Sequence, residues 1–398
     1  MTEAVIVDVV RTATGKGKLG GALSGVHPAD LLAVTLRSLV ERNGLDPVLV
    51  DDVIAGTVSQ VGDQGFNLAR TATLVAGFPE SVPATTIDRQ CGSSQQAAHF
   101  AAQAIMAGVN DIVIACGVES MSRIPLGSAR GDGDPFGPLS VRYPDGQANQ
   151  GVGAELIAAR WNLTRAEVDE FAATSHERAA KTAANGGFDN EIIPVNVQQP
   201  NGSIAPHIVD QTVRAGTSVD SLATLRTSFR TDEFEGRFPE INWLITPGNS
   251  SPLTDGASAA LIMSREKAAE LGLRPRARFH AFSVVGSDPL LMLTGPIPAT
   301  ERILQRTGLS IDDIAAFEVN EAFAPVPLAW ARSVGADLER VNPRGGAIAL
   351  GHPLGGSGTK LLATLVNHLE QTGGRFGLQT MCEGGGMANA TIIERLED

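Results

Sequence analysis

Two of the three cysteines and one of the seven histidines of this chain sit in glycine-dense turns. Thiol and imidazole are the pair that makes a sulfur nucleophile with its proton acceptor. Cys91 lies in Thr86-Ile87-Asp88-Arg89-Gln90-Cys91-Gly92-Ser93-Ser94-Gln95-Gln96, between a β-branched stretch, 82–87, and an Ala- and Gln-rich stretch, 95–106. That pattern predicts a strand, a tight turn and a buried helix. The turn then offers free N–H groups and the positive end of a helix dipole, both of which favour a thiolate. The small residues Gly92, Ser93 and Ser94 leave room for a reactant. The same residues also suit a small apolar side chain buried at a turn.

Three further knots lie in the second half: Asn320-Glu321-Ala322-Phe323-Ala324 after an apolar stretch, Gly345 to Gly358 around His352-Pro353, and Met381-Cys382-Glu383-Gly384-Gly385-Gly386-Met387. A lone histidine is most often structural, but beside two such cysteines it reads as their proton partner. Gly355 to Lys360 faintly resembles a phosphate loop, with Ser-Gly-Thr-Lys in place of Gly-Lys-Ser/Thr. The cysteines are too far apart in sequence for a zinc knuckle, so no metal is expected. Cys116 ends an apolar stretch and is expected in the core.

The elements that must position these groups alternate between strand and helix. Strands are expected at 5–10, 53–58, 112–115, 257–263 and 317–319, and helices at 29–40, 67–75, 95–106 and 150–184, with a Thr164/Glu167 capping box. A short helix is expected at 221–229, followed by a charged insert at 230–237. The fold class is α/β, with mainly parallel mixed sheets covered by helices on both faces. Arg42-Asn43-Gly44-Leu45 before Asp51-Asp52 is echoed by Arg306-Thr307-Gly308-Leu309 before Asp312-Asp313. The stretch from Gly92 to Cys116 is echoed by that from Gly358 to Cys382, so two related halves are expected. Their extents are 1–121 with 248–275, and 276–398. An inserted segment, 122–247, rich in Gly, Pro and Asp at its start, is either a lid over the site or a decoration. In two facing halves, equivalent strand ends deliver Cys91 and Cys382 to one cleft.

Composition narrows the field. With 398 residues, 43% hydrophobic and 19% charged, the chain is long enough for two or three packed units. A net charge of -13 disfavours nucleic acid or an acidic membrane as partner. Three cysteines make no disulfide framework and fit a reducing compartment. No stretch has the length and apolarity of a membrane span, and the N-terminus lacks a basic, then apolar, leader. A cytoplasmic protein is expected.

Taken together, Cys91-Gly92-Ser93 before a helix, Asn320-Glu321-Ala322-Phe323, Gly346 to His352-Pro353, and Cys382-Glu383-Gly384-Gly385-Gly386 resemble the thiolase family of acyl-CoA acyltransferases, over essentially the whole chain. The resemblance implies that Cys91 becomes acylated and that His352 takes its proton and later polarises the thioester carbonyl. It implies that Cys382 is the acid/base at the α-carbon and that Asn320 holds a water beside His352. Backbone N–H groups of Cys91 and Gly384 would form a second oxyanion hole. Coenzyme A would lie along the insert, with Arg214, Ser221 and Ser251 contacting it and Phe229, Pro247 and Phe323 lining its groove. Coenzyme A thioesters are the substrates, no separate cofactor is implied, and the family forms dimers or tetramers. Three positions depart from the common pattern: Asn149-Gln150 replaces His-Met beside the acyl pocket, Arg344 replaces Asn, and 230–244 is long. Gln150 could hydrogen-bond a polar or bulky acyl group. The alternatives are a ketoacyl-synthase-like condensing enzyme, which would carry a second histidine at position 382, and a silent scaffold of the same fold.

Overall fold

In the computed structural model, which describes residues 2–144, 146–199 and 201–397, alternating β-rich and helical segments assemble into one long mixed sheet. Its strand order is Ile314–Val319, Phe376–Glu383, Met387–Arg395, Ala277–Gly286, Ala4–Thr12, Thr254–Ser264, Ile112–Ser120, Asp52–Gly56 and Ala84–Ile87. The two ends mirror one another. Asp52–Gly56 runs parallel to both of its neighbours, and Ile314–Val319 runs parallel to Phe376–Glu383 and bridges in parallel to Val341. In each half an antiparallel strand then returns beside the parallel set: Thr254–Ser264 in the first, Met387–Arg395 in the second. The halves join where Val5 faces Arg278 and Ile6 faces Ala277.

Strand alternation sends successive side chains to opposite faces. Along Ala4–Thr12, Val5, Val7 and Val10 enter one core, whereas Ala4, Ile6 and Val9 enter another, the phase slipping at a bulge between Ile6 and Asp8. The first core is filled from helix Pro28–Arg42 by Leu31, Leu32, Leu36 and Leu39. The second contains helices Ser93–Met106 and Ser357–Thr372, one from each half. Their contact stripe is rich in alanine (Ala97, Ala98, Ala101, Ala102, Ala363), so the axes approach closely. Gly358 marks the tightest point, because a Cβ there would stand 2.0 Å from the Gln95 backbone nitrogen. Gly358→Ala must therefore separate two packed helices. We expect a loss of about 1–3 kcal/mol, read as a lower denaturation midpoint at unchanged m-value.

The buried glutamines of the first of these helices tie it to the other half. Gln95 Nε2 donates to Thr391 Oγ1 at 2.7 Å, and Gln379 Nε2 donates to Gln95 Oε1 at 3.1 Å. The helix after Cys91 is thus bonded to the strand that carries Cys382 and to that strand's antiparallel neighbour.

The inserted segment departs from its sequence reading in two places. The stretch 150–184 is two helices, Gln150–Arg160 and Arg165–Ala184, broken where Asn162 adopts a φ of 50°. The expected Thr164/Glu167 capping box starts the second. The helix expected at 221–229 is only Val219–Ala223, capped by Ser218, because the chain then turns so that Ser228 N donates to Ile245 O. The charged insert forms Asp232–Arg237, followed by Phe238, Ile241 and Trp243, which bury against Val152 and Leu156 of the Gln150 helix. No helix among the described residues is long and apolar enough to cross a membrane.

Candidate active site

Strand Ala84–Ile87 ends three residues before a strained position. Gln90 takes a φ of 48°, unusual for a residue with a side chain. Asp88 holds it there, its Oδ1 accepting Gln90 N at 2.6 Å. Ser93 Oγ completes the turn by accepting from Arg89 N at 2.9 Å and donating to Gln90 O at 2.6 Å. Cys91, caught between, is 6% exposed and packs with Met121, Leu354 and Met381. The strand–turn–helix expected around this cysteine is what forms.

His352 follows Gly351, whose φ of 78° swings the chain inward. Its backbone N–H is held by Thr254 Oγ1 at 3.1 Å. Its Nδ1 lies 2.5 Å from Ser357 Oγ, and that hydroxyl already donates its one proton to Pro353 O at 2.8 Å. Ser357 therefore accepts from Nδ1–H, which leaves the Nε2 lone pair free to act as a base. Nε2 is 3.4 Å from Asn320 Nδ2, and the same Asn320 side chain lies against the Cys382 thiol, where it favours the thiolate. Asn320 so bridges imidazole and second sulfur. Ser357→Ala should release the tautomer while leaving the cavity intact. We expect kcat lower by about tenfold with KM little changed, and partial recovery in Ser357→Thr, measured by steady-state kinetics.

Electrostatics set the resting protonation. Burial, then the neighbouring Cys382 and Glu383, push the Cys91 thiol well above the ordinary thiol range. Burial pushes Cys382 up to about 12. Burial, with the Lys360 ammonium behind it, lowers His352 to about 3. The sequence reading expects a helix-end thiolate at Cys91, and here the structure differs. Desolvation in a pocket that already holds a second sulfur outweighs a dipole worth at most about 2 kcal/mol. Thiol, neutral imidazole and thiol coexist until a substrate supplies the drive for proton transfer.

A cavity of about 280 Å³ opens onto Cys91 and His352. It is walled by Gln150, Phe229, Ser251 and Phe323 together with apolar Met121, Leu126, Leu253 and Leu354. Phe229 meets Phe323 edge-on at 5.9 Å. Cys382 lies behind this wall, packed with Phe323 and Ala322. Gly384 adjoins the Cys91 turn: a Cβ there would come within 2.9 Å of Gln90 Oε1. The remaining sequence candidates are not among the cavity walls. Arg214, Ser221 and Pro247 are exposed on the inserted segment, and the Ser221 hydroxyl donates to Ser218 O in that helix's cap. Arg344 is buried in bonds to Gly187 O, Asn367 O and Gln371. Cys116 is fully buried in the core, as expected.

The sequence reading misses two supports. Ser357 orients the histidine, and its signal is a hydroxyl five residues on, at the mouth of a helix. Glu119 is buried and gathers the N–H groups of Val58, Ser59 and Gly355 and the Gln64 amide, fixing the loop that carries His352. Lys360, the end of the imperfect phosphate loop, is buried, with Nζ 3.3 Å from Gly351 O and Arg11, Asp210, Glu191 and Glu318 about it. It is part of the interior, not of an anion cradle.

Comparison with known proteins gives this arrangement its lineage. Residues 4–266 match the thiolase N-terminal domain, and residues 273–395 match the thiolase C-terminal domain. The steroid 3-ketoacyl-CoA thiolase FadA6 of Mycobacterium tuberculosis is 50% identical over 405 residues, covering 100% of this chain and 95% of that one. The 3-ketoacyl-CoA thiolase FadA of Escherichia coli is 43% identical over the full length of both. The crystal structure of the Bacillus anthracis acetyl-CoA acetyltransferase superposes with a TM-score of 0.88 at 36% identity, covering 100% of this chain and 99% of that one. Cysteine, histidine, asparagine and cysteine thus converge in a fold and a sequence that share one ancestry, and the chain belongs to the thiolase family of acyltransferases.

Proposed function

We propose that this enzyme cleaves 3-ketoacyl-CoA with coenzyme A, giving acetyl-CoA and an acyl-CoA shortened by two carbons, and that it also runs the reverse Claisen condensation. The observation that carries the reading is the convergence of Cys91 and His352 on one cavity, with Cys382 linked to the same imidazole through Asn320.

Cys91 Sγ attacks the 3-keto carbon as its proton passes to His352 Nε2. The tetrahedral oxyanion takes hydrogen bonds from the Cys91 and Gly384 N–H groups. Collapse breaks the C2–C3 bond, leaving the acyl group on Cys91 and an acetyl-CoA enolate. The enolate oxygen is met by His352 and the Asn320 site, and its carbon takes the Cys382 proton. In the second half, the Cys382 thiolate deprotonates incoming coenzyme A, whose sulfur attacks the acyl-enzyme. Cys91 then leaves and recovers its proton from His352, so every group returns to its starting state. High thiol pKa values and a weakly basic imidazole suit this scheme, because each proton moves only as a bond to carbon forms or breaks.

The coenzyme would lie along the inserted segment, with Arg214 near its adenine end, Ser221 and Ser251 on the nucleotide and pantetheine parts, and Pro247 and Phe229 along the groove. The subunits would pair as dimers or tetramers in the cytoplasm, with no cofactor beyond the thioester substrates.

The acyl pocket favours chains longer than acetoacetyl. Met121, Leu126, Leu253, Phe229 and Phe323 make its wall apolar, and Gln150 supplies a polar group at one edge. A 50% identical relative named for steroid 3-ketoacyl-CoA supports a bulky acyl group. A kcat/KM series over 3-ketoacyl-CoA chain lengths tests this. We expect a maximum beyond four carbons, with about 1–3 kcal/mol gained for a methylene that fills the pocket. A steep fall beyond four carbons would overturn the preference.

A further inference from the structure

Glu383 takes no part in the steps above, yet it stands beside both sulfurs. It follows Cys382 at the end of its strand and is fully buried, and neither carboxyl oxygen has a hydrogen-bond partner. Its carboxyl packs on Gly92, the residue after the nucleophile. A Cβ built on Gly92 would lie 2.0 Å from Glu383 Oε1 and 2.8 Å from Asn389 Nδ2. Asn389 Nδ2 donates to Gly92 O at 3.0 Å, and Asn389 Oδ1 is itself without a partner. The other groups facing Glu383 are Asp88 and Arg89 from the loop before Cys91, Cys91 itself, and Cys382 on its own strand. Arg89 Nε is buried and unpartnered as well.

An ionised carboxylate with no donor on either oxygen is strongly disfavoured in such a place. The resting group is therefore the neutral acid. Packing alone gives no reason for a glutamate, since an apolar side chain of that length would fill the space without two unpaired oxygens. We propose that Glu383 is a positioning residue that acts on Cys91 through charge: neutral and wedged on Gly92 it leaves the nucleophile competent, and ionised it suppresses it. Burial, opposed by the Arg89 cation, holds the Glu383 carboxyl up to about 8, so the change falls just above neutrality. A negative Glu383 disfavours the thiolate of Cys91 and the oxyanion formed beside it alike.

The proposal rests on Cys91 as the nucleophile but is tested without turnover. The rate of Cys91 alkylation by iodoacetamide is followed by peptide mass spectrometry from pH 6 to 10 in the full chain, in Glu383→Gln and in Arg89→Gln. The wild-type rate should rise, flatten near the Glu383 titration, and rise again. Glu383→Gln should rise without that shoulder, so its ratio to wild type grows by about fivefold or more between pH 6.5 and 9.5. Arg89→Gln removes the opposing cation and should move the shoulder to higher pH. A constant ratio across the range in folded Glu383→Gln, or a shoulder unmoved in Arg89→Gln, overturns the proposal. If Glu383→Gln fails to fold, Arg89→Gln decides alone. Thiolysis surviving in Cys91→Ser would instead sink the proposed function and leave the alkylation result standing.

Discussion

Cys91→Ser yields a folded protein whose thiolysis is lower by about 10⁴-fold or more. The substitution is nearly isosteric in a pocket bounded by Met121, Leu354 and Met381, so the turn and its helix survive. The loss is chemical. His352, lowered to about 3 by its burial, is a weak base. It can relay a thiol proton as the carbon–sulfur bond forms, but a hydroxyl is a far poorer acid. Steady-state thiolysis of a 3-ketoacyl-CoA, with circular dichroism as the folding control, gives the number. Activity within tenfold of wild type would remove Cys91 from the nucleophile's role.

Cys382→Ala separates the two chemical tasks. Transfer of an acyl group from a thioester onto Cys91 persists at a reduced rate, because the nucleophile, His352 and the oxyanion donors remain and a coenzyme A thiolate can depart without the Cys382 proton. Carbon–carbon cleavage falls by about 10²–10⁴-fold, the worth of a positioned acid/base. The cost in stability is small, about 1 kcal/mol for one buried sulfur among Ala322, Phe323 and Val326. Rapid-quench measurement of acyl-enzyme beside steady-state turnover reads both quantities. Equal loss of acylation and cleavage would place Cys382 beside Cys91 in the first step, and the scheme would need redrawing.

Local pattern made the neighbourhood of Cys91 legible, because a β-branched run, small turn residues and an alanine-rich run each constrain the backbone on their own. The same held for the Thr164/Glu167 cap. The internal echo pairs Cys116 with Cys382, but Cys116 lies in the middle of the strand Ile112–Ser120, inside the core, and only Cys382 lies near the end of its strand, at the site. What stayed hidden depends on partners far along the chain. Ser357 is informative only once Pro353 O is seen to take its proton. Glu119 matters through Gly355, more than two hundred residues away. The protonation of Cys91 is not legible in the sequence, because a dipole can be read from a helix start, whereas the burial and the facing Cys382 and Glu383 that outweigh it cannot. The insert was hardest to bound, since Phe238, Ile241 and Trp243 gain their place only against Val152 and Leu156 of another segment.

The most direct test of the shared pocket is where the acyl group comes to rest. Incubating the enzyme with a 3-ketoacyl-CoA but no free coenzyme A, quenching in acid and mapping peptides by mass should show the shortened acyl mass on the peptide containing Cys91, with Cys382 unmodified. An acyl group found on Cys382, or acetyl-CoA released with no covalent adduct anywhere, would contradict the account.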